Sequence, residues 1–309
     1  MKKTSGKHRV ASRGSDLAFI ACNYTLLALT FIITLYPLIF VLSASFSEPG
    51  AVYTGKMILF PVNPTLTGYE YIFQYREIWT GYVNTIFYTV AGTFLNLAFT
   101  LPCAYALSRK DMPGRGLIMT LFIITMYFSG GLIPGYLNLY SFGLINTRWV
   151  MLISGLVSVF NLIVARTFFA TSIPWELHEA ARMDGCSDFK MFTRIVLPLS
   201  KPIIVVLMLY YGIGHWNSYF NAMILLKDRS LFPLQLFLRE ILIQGSFAVT
   251  AAAEGNADAE AIAALVKQQD TANLIKYGVI VVSTVPMLIV YPRLQSYFAK
   301  GVMIGSVKG

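Results

Sequence analysis

The chain has 309 residues, of which 56% are hydrophobic and only 13% are charged, and its mean hydropathy is +0.62. A single soluble core cannot hide that much apolar surface, so the composition excludes an ordinary soluble domain and favours a polytopic membrane protein. The formal net charge of +9 would suggest a polyanionic partner in a soluble protein. Basic residues also collect on the cytoplasmic side of membrane spans, however, so we expect no nucleic-acid partner.

The N-terminal segment 1–16 is basic and precedes a long apolar run at about 17–46. The apolar core of a secretory signal peptide has roughly 7 to 15 residues, whereas about 20 apolar residues are enough to cross a bilayer. The first run is therefore predicted to be an uncleaved membrane span, with segment 1–16 outside the membrane.

Six apolar segments are long enough to cross a bilayer, and each is bounded by charged residues, Pro or Gly. They lie at about 17–46, 82–107, 117–139, 149–170, 201–226 and 276–298. The predicted fold class is therefore an all-α integral membrane protein with six transmembrane helices over 17–298 and a C-terminal tail over 299–309.

The distribution of Lys and Arg predicts the orientation of these spans. About 15 of the basic residues fall in the two termini and in the loops 108–116 and 171–201, against about 8 in the opposite loops, which indicates that both termini are cytoplasmic. Segments 47–81 and 227–275 would then be external. The second contains many helix-forming residues and is predicted to be a small soluble appendage for docking or gating, with a solvated spacer as the alternative.

The six predicted spans contain no Asp or Glu. Carriers driven by protons or sodium usually bury a carboxylate as the coupling site, so the energy for any transport is expected to come from outside the membrane domain. The segment Gly50–Met57 nearly spells a phosphate-binding loop, but Met57 stands where that loop needs Ser or Thr to hold magnesium. If ATP is used, another chain must hydrolyse it, and this chain is not an enzyme.

The three cysteines, Cys22, Cys103 and Cys186, are far apart in the sequence. Neither a CxxC pair nor a Cys/His ligand spacing occurs, so the sequence predicts no metal site and no disulfide framework.

The loop between the fourth and fifth spans has the pattern of two short helices. Helical spacing puts Leu177, Ala180, Ala181 and Asp184 along one side. Gly185 favours a break, and the residues after it include Ser and Asp, which can cap a second helix. An amphipathic helix that merely lies on the membrane surface is the alternative interpretation.

The same loop resembles the EAA loop of ABC importer permeases. The shared pattern is Glu179-Ala180-Ala181, three residues to Gly185, nine to Ile195, and then Leu197-Pro198. In that family the loop forms coupling helices that seat in a cleft of the ATPase subunit. The resemblance implies the type I importer permease fold with a cytoplasmic coupling loop at 175–198. Its implied ATPase-coupling residues are Glu179, Ala180, Ala181, Gly185, Ile195, Leu197 and Pro198.

Other segments resemble carbohydrate-import permeases, and within them the LplC-type subunits for poly- and oligosaccharides. These segments are Ala104–Arg109, Phe128–Pro134, Ser158–Leu162 and Gly214–Asn221. The C-terminal residues Gly305, Ser306, Val307, Lys308 and Gly309 are similar to the tail of the maltose permease subunit that reaches between the ATPase subunits.

This resemblance implies an importer of an oligosaccharide or polysaccharide fragment in a bacterial inner membrane. Its partners would be an LplB-type second permease, a pair of ATPase subunits that bind ATP and Mg, and an extracytoplasmic solute-binding protein. No cofactor is implied in this chain.

Polar side chains inside membrane spans indicate either helix packing or a solute path. The candidates for the path are Asn161, His215, Trp216, Asn217 and Asn221, because amides pair with sugar hydroxyls and aromatic rings cover the C–H faces of sugars. The open alternatives are an ATP-independent channel or carrier, an ABC permease for another solute, and a membrane scaffold or sensory protein.

Overall fold

The computed structural model describes residues 14–241, 243 and 275–292, and this part of the chain is helical with no strand. We number the α-helices in chain order. They are α1 (Gly14–Ser45), α2 (Pro49–Tyr53), α3 (Thr67–Gln74), α4 (Arg76–Ser108), α5 (Arg115–Tyr127), α6 (Leu132–Ser141), α7 (Arg148–Ile153), α8 (Val159–Ser172), α9 (Trp175–Met183), α10 (Asp188–Met191), α11 (Leu197–Leu199), α12 (Lys201–Trp216), α13 (Tyr219–Leu225), α14 (234–241) and α15 (Ile275–Pro292). A π-helical segment, Phe192–Val196, joins α10 to α11, and a 3-10 turn, Arg229–Leu231, precedes α14.

The all-α membrane class predicted from the sequence is confirmed. Among the described residues, α1, α4 and α15 are long and apolar enough to cross a membrane. Two bent pairs could each form one more span, which gives up to five. One is α5 with α6, at 115°, and the other is Asp188–Leu199 with α12, at 82°.

The predicted span 149–170 contains α7 and α8, with a break at 154–158. Gly155 lies in this break at φ +79, a backbone conformation that glycine adopts without steric cost. Pro102, in contrast, lies inside α4 without ending it. The last predicted span, 276–298, is described as a helix up to Pro292.

Helix α4 is the central element, and α7, α8 and α12 pack against it. Its 33 residues give a length of about 50 Å, so its two ends lie far apart. The α4 side facing its neighbours contains buried polar residues as well as apolar ones. Thr100 Oγ1, for example, lies 2.8 Å from the hydroxyl of Tyr211 on α12. Hydrogen bonds of this kind join helices in a lipid environment, where unpaired polar groups are costly.

The first part of the predicted appendage, 227–241, packs against the N-terminal half of α4. Asn84 Nδ2 donates to the carbonyl oxygens of Ser230 at 2.8 Å and Phe232 at 3.0 Å. Thr85 Oγ1 accepts from the backbone N–H of Leu234 at 2.8 Å. Residues 242 and 244–274, which complete the predicted appendage, lie outside the described part, as do segments 1–13 and 293–309.

We predict that Gly81→Ala destabilises the protein. An added Cβ would lie 2.9 Å from Phe237 Cδ2 and 3.0 Å from Leu234 Cα, and overpacking of this kind costs about 1 to 3 kcal/mol. Thermal unfolding of the detergent-solubilised protein measures the effect. Gly116→Ala in α5 is the matched control, because a Cβ there meets nothing within 4 Å. Equal unfolding temperatures for the two variants would contradict the packing of α14 on α4.

Candidate coupling site and solute cavity

Helix α9 ends in a tight turn at Gly185, where the sequence predicts a break. The Gly185 N–H donates to the Arg182 carbonyl at 3.0 Å and the Cys186 N–H donates to the Ala181 carbonyl at 2.9 Å, which together form a Schellman motif. Gly185 has φ +70, the left-handed conformation that this motif requires at its glycine. Ser187 then caps α10, since its side chain accepts from the Lys190 N–H at 3.4 Å.

The predicted coupling residues divide into a buried set and an exposed set. Ala181 is buried in the core, whereas Glu179, Ala180 and Gly185 are exposed. Ala180 therefore does not share the buried side with Ala181, because successive helical residues differ in direction by about 100°. Ile195 and Leu197 are half-buried against the core and Pro198 is exposed.

Two large apolar side chains near the Gly185 turn are exposed. Met183 is 88% exposed at the end of α9, and Phe189 is 77% exposed in α10. They flank the Gly185 turn, one on each of the two helices that the turn joins. Neither residue was predicted as a site residue from the sequence, although both lie within segment 175–198.

A stack of rings attaches the coupling loop to α4. The Tyr105 ring lies 5.8 Å from the His178 ring on α9 and 5.2 Å from the Phe192 ring after α10, measured between centroids. Trp175 stacks on the His178 ring at 5.2 Å. One side chain of α4 therefore contacts a ring on α9 and a ring directly after α10.

An ion network makes a second attachment between the loop and α4. Arg109, at the end of α4, donates from Nη2 to Asp111 Oδ2 at 2.6 Å and from Nη1 to Asp188 on α10. Arg182 on α9 donates to the same Asp111 oxygen at 3.0 Å. The hydrogen bond from Arg109 lowers the pKa of Asp111 from 3.8 to about 2, and the same bond raises the pKa of Arg109. Asp111 and Arg109 therefore both carry their charges at neutral pH.

The lowered pKa of Asp111 predicts a pH dependence of stability. The folded protein binds this proton more weakly than the unfolded chain does, so the stabilisation is present above about pH 4 and is lost as the pH falls towards 2. Between about pH 4 and 2, the unfolding temperature in detergent should fall more steeply for the wild type than for Asp111→Asn. Parallel plots of unfolding temperature against pH for the two proteins would contradict a stabilising role of the ion network.

A second region, among α4, α8 and α12, contains a cavity of about 310 Å³. Its polar lining includes Asn96, Ser158, Asn161, Tyr210, His215 and Asn221. Three of the predicted solute-path residues, Asn161, His215 and Asn221, are therefore brought together at this cavity.

The other two predicted path residues lie elsewhere. Trp216 is buried and its indole N–H donates to the Ser283 carbonyl on α15 at 3.2 Å. Asn217 is exposed and its amide donates to the Ile213 carbonyl at 3.1 Å. Successive residues of a helix point in directions about 100° apart. Trp216 and Asn217 therefore do not face the cavity that His215 lines.

The bundle of apolar helices, the exposed coupling turn and the uncharged cavity define a membrane-embedded transport subunit. The chain belongs to the family described as binding-protein-dependent transport system inner membrane component, whose profile matches residues 78–304.

Two relatives from one organism match over nearly the whole chain. The chain is 38% identical over 302 residues to Protein LplC of Bacillus subtilis (strain 168), with 98% of this chain and 99% of the relative covered. It is 39% identical over 286 residues to the polygalacturonan/rhamnogalacturonan transport system permease protein YtcP of the same organism, with 93% and 96% covered.

A solved structure also matches. It is described as a bacterial ABC transporter involved in the import of the acidic polysaccharide alginate, and its matching chain is 36% identical with a TM-score of 0.82. The match covers 93% of this chain and 99% of that one. The fold is therefore that of a type I ABC importer permease, as the EAA-like loop predicts, and the chain is a non-catalytic, multi-pass inner-membrane subunit. An ATP-independent channel or carrier is not favoured.

Proposed function

We propose that this chain is the LplC-type permease subunit of an ABC importer for an oligosaccharide or polysaccharide fragment. Its full-length similarity to a polygalacturonan/rhamnogalacturonan permease and to an alginate importer supports this substrate class. The observation that carries the coupling role is the exposed turn at Gly185, which is attached to α4 by both the ring stack and the ion network.

The proposed mechanism is alternating access. A pair of ATPase subunits binds ATP and Mg, and their closure moves the coupling loop at 175–198, which seats in them through Glu179, Ala180, Gly185 and the apolar side chains beside the turn. The ring stack and Arg109 pass that movement to α4. Because α4 also lines the cavity through Asn96, a shift of this helix changes access to the cavity.

The remaining components follow from the same proposal. An LplB-type permease completes the membrane pathway, and an extracytoplasmic binding protein delivers the sugar. The bias of Lys and Arg supports cytoplasmic termini, and a tail at 305–309, outside the described residues, would contact the ATPase pair.

Purification of the chain from solubilised native membranes tests this function. We expect stoichiometric recovery of a second permease, an ATPase and a binding protein, and ATP hydrolysis stimulated by fragments of polygalacturonan or alginate. Recovery of the chain without an ATPase would overturn the assignment as a subunit of an ABC importer. Uptake of a peptide, with indifference to oligosaccharides, would overturn the sugar assignment alone.

A further inference from the structure

The side chain of Asn96 is oriented by two backbone carbonyls in the break between α7 and α8. Its amide end lies 3.2 Å from the Gly155 oxygen and 2.7 Å from the Leu156 oxygen. Carbonyl oxygens only accept hydrogen bonds, so the end of the amide that faces them must be the NH₂ group. The Oδ1 atom of Asn96 therefore points the other way, towards α12.

This orientation fixes the hydrogen on the His215 ring. His215 Nε2 lies 2.7 Å from Asn96 Oδ1, and this oxygen can only accept, so Nε2 must carry a hydrogen. In a neutral imidazole the other nitrogen then has a free lone pair. Nδ1 of His215 is thus an acceptor.

The rest of the ring is held in place by α4. A Cβ added to Gly92 would lie 2.4 Å from both Cε1 and Nε2 of His215, so only glycine lets the far edge of the ring approach so closely. The Nδ1 atom is bonded to Cγ and therefore lies on the edge of the ring nearer the α12 backbone. Within residues 14–241, 243 and 275–292, this atom makes no hydrogen bond. His215 is half-buried and lines the cavity, where a ligand can supply the missing donor.

The neighbouring lining atoms suit the same ligand. The Ser218 Oγ is buried with no hydrogen-bond partner in the described structure, and the amides of Asn161 and Asn221 likewise make no hydrogen bond there. Tyr210 is 45% exposed. The cavity lining contains no Asp, Glu, Lys or Arg. The amides, hydroxyls and aromatic rings of this lining match the hydroxyl-bearing and C–H faces of a sugar.

We propose that His215 is a specificity-determining residue that accepts a hydrogen bond from a sugar hydroxyl through Nδ1, while its Nε2–H holds Asn96. The inference rests on the proposed function, and it assigns direct recognition of the sugar to this subunit.

Two substitutions separate recognition from positioning. In His215→Gln the longer side chain reaches the Nε2 position and can still donate to Asn96, but it leaves no acceptor at Nδ1. In His215→Asn the shorter amide places an oxygen near the Nδ1 position and cannot reach Asn96. If His215 only holds Asn96, the Gln variant should be the more active one. If His215 binds the sugar through Nδ1, the Asn variant should be the more active one.

The experiment uses the complete complex in proteoliposomes, with its binding protein and fragments of polygalacturonan and of alginate as probes. At equal amounts of assembled complex, we expect His215→Gln to lower uptake of the transported fragment about tenfold, the loss expected for one missing hydrogen bond. His215→Asn should retain uptake within about threefold of the wild type. Thr120→Ala, at an exposed position on α5 outside the cavity lining, is the control and should transport like the wild type.

The reverse order, with Gln active and Asn inactive, would overturn the inference and leave a structural role. Wild-type uptake by both variants would overturn it as well. If the wild-type complex itself takes up neither probe nor any other oligosaccharide, the proposed function fails and the inference fails with it.

Discussion

Replacement of Gly185 by valine is expected to abolish substrate-stimulated ATP hydrolysis in the assembled complex. Gly185 has φ +70. A residue with a Cβ destabilises the fold by roughly 1 to 2 kcal/mol in this left-handed conformation. A branched Cβ is worse still. A Cβ at this position would meet nothing within 4 Å in the described structure, so the new side chain projects outward, into the space that the ATPase would occupy.

Two further variants separate backbone strain from blocked contact. Gly143→Val is the matched control, because Gly143 has φ +67 and also has nothing within 4 Å of an added Cβ. It carries the same strain away from the coupling loop and should retain stimulated hydrolysis. Gly185→Asn tolerates the left-handed conformation but still adds a side chain, so it should lose stimulation too. Equal loss in Gly143→Val and Gly185→Val would contradict the coupling assignment.

Replacement of Arg109 by glutamine is expected to lower substrate-stimulated hydrolysis about tenfold. The Arg109 side chain is only 11% exposed and holds both Asp111 and Asp188. Hydrogen bonds to charged groups contribute about 1.5 to 3 kcal/mol each, and without them α10 loses its ionic attachment to α4. The ATPase could then still close on the loop, but less of the movement would reach the transmembrane helix.

The opposite end of α4 provides the control for this variant. Arg229 pairs with Glu77 at 3.0 Å and with Glu240 at 3.1 Å. Like Arg109, it holds two carboxylates, but it lies far from the coupling loop. Arg229→Gln should therefore change stimulated hydrolysis little. The ratio of sugar-stimulated to unstimulated hydrolysis is the measurement, because it cancels differences in expression. If both variants lower this ratio equally, general stability and not attachment of the loop explains the loss.

Features fixed by short-range chemistry could be predicted from the sequence. The helical membrane class follows from the length and apolar character of the segments, since a bilayer admits little else. The turn at Gly185 and the cap at Ser187 follow from hydrogen bonds that close within a few residues. The broken helices were harder to predict, because an apolar run does not reveal the bend of 115° between α5 and α6.

The sequence by itself therefore determined the class of protein and the local turn at Gly185. Only the tertiary structure brought Tyr105 against His178, Arg109 against Asp188, and Asn96 against His215. These partners are more than 70 residues apart in the chain, and their pairing depends on how α4 is rotated against its neighbours. The same rotation decided that His215 lines the cavity while the adjacent Trp216 faces α15, because adjacent helical residues point in different directions and only packing selects which one faces inward.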